Sequence, residues 1–259
     1  DEPLQNTWKQ SRDSWFYLGG QGIMMRDCFI EQGNSLYYVF EDGARAENTW
    51  VLADEADEDG HEAGWYYFGA NGKAYRGTAS SFKRTVDGRS YIFDESGRML
   101  TGWFDEDGNQ LDEDDNPLEE GVYYADADGA LKTESWLDYS QLEIRGLEDL
   151  SSDISGRDYD EYDQVWLYFN NRSKKVKSNG GRLVQKNIDG STYGFDEYGI
   201  MLPWWTKVAS VSNADKSNPT SDVPARFFAG YDGGSLLRDS WLWMYPSDNL
   251  IQDDYDEGE

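Results

Sequence analysis

A short aromatic segment recurs eight times along this 259-residue chain, and the recurrence limits the possible folds more than any single motif does. Each copy is a four-residue run enriched in strand-forming residues, and a glycine usually follows the run four residues later. The sixth copy departs from this pattern because Ser173 replaces the glycine. Such self-similarity is typical of repeat proteins, whose units stack on their neighbours. The runs occupy positions 15–18, 36–39, 65–68, 90–93, 122–125, 166–169, 192–195 and 226–229.

Each copy predicts a β-hairpin, in which the aromatic run is followed by a tight turn and a second strand. The four residues that end at the glycine are turn formers, and a closing glycine suits a type I turn followed by a left-handed residue. Beyond the glycine, an apolar residue and then an aromatic residue recur, most clearly as Met99 and Trp103. Trp8 is interpreted as such a post-glycine residue without a preceding hairpin.

The alternation of side chains along a strand separates a core face from a second face. The second and fourth positions of the eight runs are apolar or aromatic, so we expect them to form a continuous core between repeats. The predicted fold is all-β, an elongated solenoid of stacked β-hairpin repeats that forms a single array over residues 1–259. Loop insertions between hairpins are predicted near 137–164, as a short helix or an ordered loop, and near 207–224, as a mobile loop.

Two stretches, from Asp87 to Trp103 and from Trp8 to Phe29, resemble the unit of the cell-wall-binding repeat superfamily. That superfamily includes choline-binding modules, the glucan-binding ends of glucosyltransferases and the repeats of large clostridial toxins. Its unit reads roughly Gly-Trp, polar residues, Gly, Trp-Tyr-Tyr-Phe, three turn residues, Gly, Met and Thr-Gly-Trp. The resemblance implies a secreted or cell-surface bacterial protein whose partner is a cell-wall polymer or a glucan.

The resemblance also implies aromatic cages for a ligand. In choline-binding relatives, the first position of the run supplies one wall, and the Trp of Gly-Trp and a nearby Tyr supply others. Carried over by position, the best-equipped cages pair Trp8 with Trp15, Trp50 with Trp65, and Trp136 with Trp166. The candidate third walls are Tyr17, Tyr38, Tyr67 and Tyr168, whereas the copies that begin at Ser90, Val122, Thr192 and Arg226 lack the first wall.

The charge balance argues against several classes of partner. The chain has 51 acidic and 23 basic residues, a formal net charge of −28, which repels the phosphates of nucleic acids. No apolar run approaches the roughly 20 residues that a membrane span requires. With one cysteine and one histidine, the chain can form no internal disulfide and no Cys/His metal cluster. His61, in an acidic segment, is predicted to be a solvated surface residue, and no catalytic constellation is visible, so no enzyme activity and no cofactor are predicted.

Two functional hypotheses remain open. The first is a non-catalytic module that recognises choline-type wall groups or glucan-type carbohydrate with aromatic side chains. The second is a structural or adhesive spacer whose degenerate repeats bind a protein partner. The acidic segments 105–109 and 112–115 are open to two interpretations, as calcium ligands or as solvated loops, because carboxylates bind calcium but the spacing fits no known calcium loop.

Overall fold

The computed structural model describes residues 4–78, 81–142, 146–147, 150–154, 159, 165–179, 183–202, 206–209, 225–228 and 235. The chain divides into two compact units. The first unit comprises Asp1–Gly102, Asp107–Gln110 and Ala125–Leu131. The second unit comprises Trp103–Glu106, Leu111–Tyr124 and Lys132–Glu259.

The described residues form sixteen strands, which pair consecutively as eight two-stranded sheets, and they contain no α-helix. The predicted all-β class and the eight hairpins are therefore confirmed, including the sixth, in which Ser173 adopts the left-handed conformation with φ of 62°. The elongated outline and the single array stay predictions. The strands are β1 (Thr7–Ser11), β2 (Ser14–Leu18), β3 (Cys28–Gln32), β4 (Ser35–Val39), β5 (Thr49–Ala53), β6 (Gly64–Phe68), β7 (Lys83–Val86), β8 (Arg89–Ile92), β9 (Gly102–Phe104), β10 (Tyr123–Ala125), β11 (Ser135–Asp138), β12 (Trp166–Phe169), β13 (Val184–Ile188), β14 (Ser191–Phe195), β15 (Thr206–Ala209) and β16 (Ala225–Phe228).

The predicted partner of the aromatic run was wrong. Each run pairs with the strand that precedes it, not with the segment after the glycine. In the first hairpin Trp8 lies opposite Tyr17, so Trp8 belongs to the first strand of a complete hairpin. The turn that contains Gly22 leads out of the hairpin, and Met24 beyond it makes a single bridge to Leu18. The glycine turns therefore connect one hairpin to the next.

The predicted position of the insertions was also wrong, because they lie within hairpins. Residues 54–63 join β5 to β6, residues 105–122 join β9 to β10, and residues 139–165 join β11 to β12. The insertion predicted from 207 begins inside β15, and its residues 210–224 lie outside the described residues. A paired hairpin tolerates such loops because the entropic cost of closing a loop grows slowly with its length.

The insertion between β11 and β12 is an ordered loop in its described part. It contains one 3-10 turn, Tyr139–Gln141, at whose start the side chain of Asp138 accepts a hydrogen bond from the backbone N–H of Ser140. Tyr139, Leu147 and Leu150 are buried in a cluster with strand residues of the second unit. These apolar residues extend the core of that unit. Much of the segment predicted as a short helix or an ordered loop lies outside the described residues.

Consecutive hairpins are joined by one recurring backbone hydrogen bond. We call the residue two positions after the turn glycine, or after Ser173, the rung residue. The rung residue donates its N–H to the carbonyl of the first residue in the preceding hairpin's aromatic run, as Arg45 does to Trp15 at 2.8 Å. Equivalent bonds run from Ala74 to Leu36, Met99 to Trp65, Leu131 to Ser90, Lys175 to Val122 and Met201 to Trp166. The side chain of each rung residue is thus placed beside the preceding hairpin.

The core between hairpins consists mainly of the second and fourth residues of the runs, as predicted. In the first unit Tyr66 and Phe68 are fully buried, and in the second unit Leu167 and Phe169 are fully buried. The first run is an exception because Phe16 and its neighbours are only partly buried. Residues 227 and 229, which the prediction also placed in the core, have side chains outside the described set. Within the part of the chain that the structure describes, no helix is long and apolar enough to cross a membrane.

Candidate aromatic binding sites

Three hairpins carry the same pair of tryptophans on one face. In β1 and β2, Trp8 lies opposite Tyr17 while Gln10 lies opposite Trp15, which puts the two tryptophans diagonally across one side of the hairpin. The register repeats in two further hairpins, where Trp50 with Trp65 and Trp136 with Trp166 occupy the same positions. The three predicted tryptophan pairs are therefore brought onto common faces by strand pairing.

A tyrosine from the following hairpin completes each group. The ring centroid of Trp8 lies 5.1 Å from that of Tyr37, and the corresponding distances are 4.9 Å from Trp50 to Tyr91 and 4.9 Å from Trp136 to Tyr193. The alternation argument assigned these tyrosines to the core, and the sequence analysis did not include them among the candidate wall residues. We call the groups the first (Trp8, Trp15, Tyr37), second (Trp50, Trp65, Tyr91) and third (Trp136, Trp166, Tyr193) Trp sites.

The first Trp site holds the side chain of its rung residue, Arg45. The guanidinium carbon lies 5.2 Å from the ring centroids of both Trp8 and Trp15 and 5.8 Å from that of Tyr37. Cations at such distances from aromatic faces are attracted by the negative potential of the π system. In this arrangement a planar cation, the Arg45 guanidinium, lies among three rings.

The second and third Trp sites have methionine as the rung residue. Met99 donates its backbone N–H to Trp65 at 2.7 Å, and Met201 donates to Trp166 at 2.9 Å. In the second site the rings of Trp50 and Trp65 are T-shaped at 6.5 Å, and Trp65 keeps 42% of its surface exposed. An apolar rung residue and an exposed ring leave this site with aromatic walls and without a cation of its own at the rung position.

The predicted third walls divide into two groups. Tyr17, Tyr67 and Tyr168 lie directly across the strand from the first tryptophan of their hairpin, with ring centroids 5.0, 5.1 and 5.1 Å apart. Tyr38 lies instead in the second hairpin, where its ring contacts Phe29 and its hydroxyl donates to Asp27 at 2.5 Å. Burial and that hydrogen bond raise the pKa of Tyr38, so it remains a neutral donor.

A second basic side chain occupies a rung position in the second unit. Lys175 is buried, its Nζ donates to the carbonyls of Pro117 at 3.1 Å and Leu118 at 2.6 Å, and it lies 5.7 Å from the ring centroid of Trp103. Burial lowers the pKa of Lys175 well below its ordinary value, since the charged form loses its hydration. The signal for Arg45 and Lys175 was visible in the sequence, because the other copies have the uncharged residues methionine, alanine, leucine or serine at this position.

The prediction that His61 is a solvated surface residue was wrong. Its side chain is buried and stacks on Phe29 with ring centroids 4.6 Å apart. Its Nδ1 lies 2.7 Å from Asp57 Oδ2, and its Nε2 lies 3.4 Å from Glu31 Oε1. Although burial opposes it, hydrogen bonds from His61 lower the pKa of Asp57. The acidic segment looked solvated, but it folds back so that its histidine covers an aromatic ring.

The described part of the chain contains no group of three or more His, Cys, Asp or Glu side chains that could hold a metal ion. This includes the acidic segments 105–109 and 112–115, for which calcium was one of two interpretations. The carboxylates of Asp112 and Asp115 make local hydrogen bonds: Asp112 Oδ1 accepts the N–H of Asp114 at 2.9 Å, and Asp115 Oδ2 accepts that of Asp112 at 2.8 Å.

No family profile matches the chain. In sequence, a stretch of 110 residues is 27% identical to glucosyltransferase-S of Streptococcus mutans and covers 36% of this chain. The chain spans 7% of the length of that relative. The match agrees with the resemblance to cell-wall-binding repeats, whose superfamily includes the glucan-binding ends of glucosyltransferases.

Solved structures of similar fold include proteins of Streptococcus pneumoniae. The modular autolysin LytC is 18% identical with a TM-score of 0.48, over 87% of this chain and 41% of that protein. CbpJ is 22% identical with a TM-score of 0.45, over 75% of this chain and 47% of that protein. Alternansucrase from Leuconostoc mesenteroides is 23% identical with a TM-score of 0.38, over 49% of this chain and 10% of that enzyme. The chain thus spans less than half of each of these structures.

Proposed function

We propose that this chain is a non-catalytic extracellular module that binds choline-type quaternary ammonium groups of a cell-wall polymer at its second and third Trp sites. The observation that carries the proposal is the occupied first Trp site. Its three rings surround a guanidinium, and the same register of tryptophans and tyrosine recurs in the other two sites. The second and third sites have methionine where the first has arginine, so their rings are suited to the cation of a bound ligand.

The magnitudes favour a weak individual site. Each cation–π contact supplies about 0.5–2 kcal/mol, so three rings supply roughly 2–5 kcal/mol before the costs of association. That corresponds to a dissociation constant of about millimolar at best. A polymer that presents many quaternary ammonium groups compensates for weak single sites by multivalent binding.

Glucan-type carbohydrate is the other ligand class consistent with exposed aromatic rings, and it was open from the sequence. Sugars stack on one flat ring face and need hydrogen-bond donors and acceptors around it. The Trp sites instead present rings at steep angles, 62° between Trp50 and Tyr91 and 70° between Trp136 and Tyr193. Steeply inclined rings surround a compact cation better than they support an extended sugar ring, so choline is the preferred ligand.

Titration with three ligands tests the proposal. Choline, its neutral carbon isostere 3,3-dimethylbutan-1-ol, and isomaltotriose are added separately while tryptophan fluorescence is recorded. We expect saturable change with choline, a much weaker response to the isostere because it lacks the charge, and none with the sugar. Equal responses to choline and the isostere would show that the sites respond to shape and not to charge. A response to the sugar alone would contradict choline binding and favour glucan binding. If the folded protein responds to none of the three ligands, the spacer hypothesis is favoured.

A further inference from the structure

Besides the three rings, several other contacts hold the Arg45 side chain in the first Trp site. Glu47 Oε1 accepts hydrogen bonds from Arg45 Nε at 3.0 Å and Nη2 at 2.5 Å, and the arginine side chain is only 12% exposed. Gly72 of the next hairpin lies against the guanidinium, where a Cβ atom would come within 2.3 Å of Nε. The carboxylate, the rings and the missing Cβ together fix the arginine inside the site.

We propose that Arg45 is an internal ligand that permanently fills the first Trp site, and that the rung residue decides whether such a site accepts choline. This inference rests on the proposed function. It predicts that the second and third Trp sites bind choline and that the first does not, although the first has a complete set of aromatic walls.

The same placement of a basic rung side chain occurs in two different repeats. Arg45 and Lys175 are both basic side chains at the same position of different repeats, and each lies over the tryptophan of the preceding hairpin. Lys175 is further held by two backbone carbonyls. At the second and third Trp sites the rung residues Met99 and Met201 carry no charge. The rung position therefore places a basic side chain over a tryptophan in two repeats, whereas at the second and third Trp sites it holds an uncharged methionine.

An internal cation outcompetes a free one for a simple reason. A tethered group acts at an effective concentration of about millimolar or higher, and its placement requires no loss of translational freedom. Arg45 adds a two-point interaction with Glu47, which a quaternary ammonium cannot reproduce because it has no N–H donor. Free choline with a dissociation constant near millimolar cannot displace it at ordinary concentrations.

The experiment follows individual tryptophan indole N–H signals by NMR during a choline titration of the whole chain. In the wild type, we expect shifts at Trp65 and Trp166 and none at Trp15. In the Arg45→Met variant, which copies the rung residue of the second and third Trp sites, a choline-dependent shift should appear at Trp15. Its dissociation constant should lie within about tenfold of that at Trp65, which is about 1.4 kcal/mol in binding free energy. The same spectra report whether the variant is folded.

The reciprocal variant keeps the inference testable if Arg45→Met does not fold. The pair Met99→Arg and Thr101→Glu reproduces the Arg45 and Glu47 spacing in the second Trp site. We expect the choline response of Trp65 to be lost while that of Trp166 persists as an internal control. Persistence of the Trp65 response in this folded variant would overturn the rung rule.

The outcomes separate the two proposals. A wild type that responds to choline at Trp15 as well as at Trp65 and Trp166 overturns the inference and leaves the proposed function intact. A wild type without any response overturns the proposed function. The Arg45→Met variant tests the inference separately. A new choline-dependent shift of the Trp15 signal supports it, and the absence of a shift in the folded variant refutes it.

Discussion

At the scale of single residues, adjacent positions of one aromatic run have opposite roles. Trp65 is 42% exposed and faces the second Trp site, whereas its neighbour Tyr66 is fully buried in the core. The sequence predicted this division correctly from strand alternation. The sequence could not predict that Tyr91 is a buried core residue and also contacts Trp50 of the second Trp site, because that depends on which ring of the next hairpin reaches Trp50.

Replacing Trp65 by alanine should therefore abolish choline binding at the second site with little loss of stability. The matched change Tyr66→Ala should lower the free energy of unfolding by about 3–5 kcal/mol, since it empties a buried position. Urea unfolding and choline titration of both variants check this. If Trp65→Ala destabilises the protein as much as Tyr66→Ala does, Trp65 is a core residue and not a site wall.

A buried carboxyl group in the second unit gives a pH dependence with a defined sign. Burial raises the pKa of Asp196 to about 6, although hydrogen bonds from Tyr159 and from the backbone N–H of Ile200 and Tyr198 oppose the rise. The unfolded value is about 3.9, so the folded state binds more protons between about pH 4 and 6. Asp196 therefore disfavours folding increasingly as pH rises through that window and by a constant amount above it.

We expect the stability of the wild type relative to Asp196→Asn to fall by roughly 2–3 kcal/mol between about pH 4 and pH 7. Asparagine keeps the acceptor for the backbone N–H groups and does not titrate, so the difference isolates the carboxyl group. Urea unfolding of both proteins across this range measures it. A difference that is flat with pH, or that rises, would show that Asp196 is ionised without penalty.

At the scale of elements, the sequence predicted eight hairpins but assigned their turns to the wrong place. The glycine turns have strong turn signals, and therefore they were interpreted as hairpin loops. The actual loops range from two residues, such as Asp87-Gly88, to segments of ten or more, such as 54–63. A long loop carries no local signature of the strands it joins, so pairing across it depends on tertiary contacts that the sequence does not display.

The glycine turns have a second constraint besides their conformation. Gly72, in the turn after β6, has φ of +73° and faces Arg45. Gly88, in the hairpin loop between β7 and β8, has φ of +81° and would place its Cβ in open space, so it serves as a control. Replacing either glycine by alanine therefore introduces the same backbone strain, about 1–2 kcal/mol for an alanine in the left-handed conformation. Only Gly72 also supports the packing of a rung side chain from the preceding repeat.

We expect Gly72→Ala to lower the melting temperature more than Gly88→Ala, because it also displaces the arginine from the first Trp site. The displaced guanidinium should open that site, so choline should shift the Trp15 signal in Gly72→Ala and not in Gly88→Ala. Thermal unfolding and the choline titration measure these two effects. Equal melting temperatures would mean that the Arg45 side chain moves aside without cost.

At the scale of the whole molecule, we expect the charge of the chain to discriminate among the quaternary ammonium ligands of the proposed function. The 51 acidic and 23 basic residues give a net charge of −28, whose field attracts choline and repels the phosphate of phosphocholine. This preference was derivable from composition alone. The sites themselves were derivable only in part, since the sequence placed the tryptophans but not the arginine that fills one of the three.

The field of the chain should make choline binding depend on ionic strength. The Debye length shortens from about 30 Å at 0.01 M salt to about 8 Å at 0.15 M, so distant carboxylates cease to contribute. We expect choline to bind more weakly at the higher salt concentration, whereas phosphocholine, whose phosphate is repelled, should lose less affinity or gain some. Titration of both ligands at the two concentrations, with sodium chloride as the salt, measures the ratio of their dissociation constants. A ratio that does not change with salt would mean that the rings of the Trp sites account for ligand preference and that the −28 charge has no part in it.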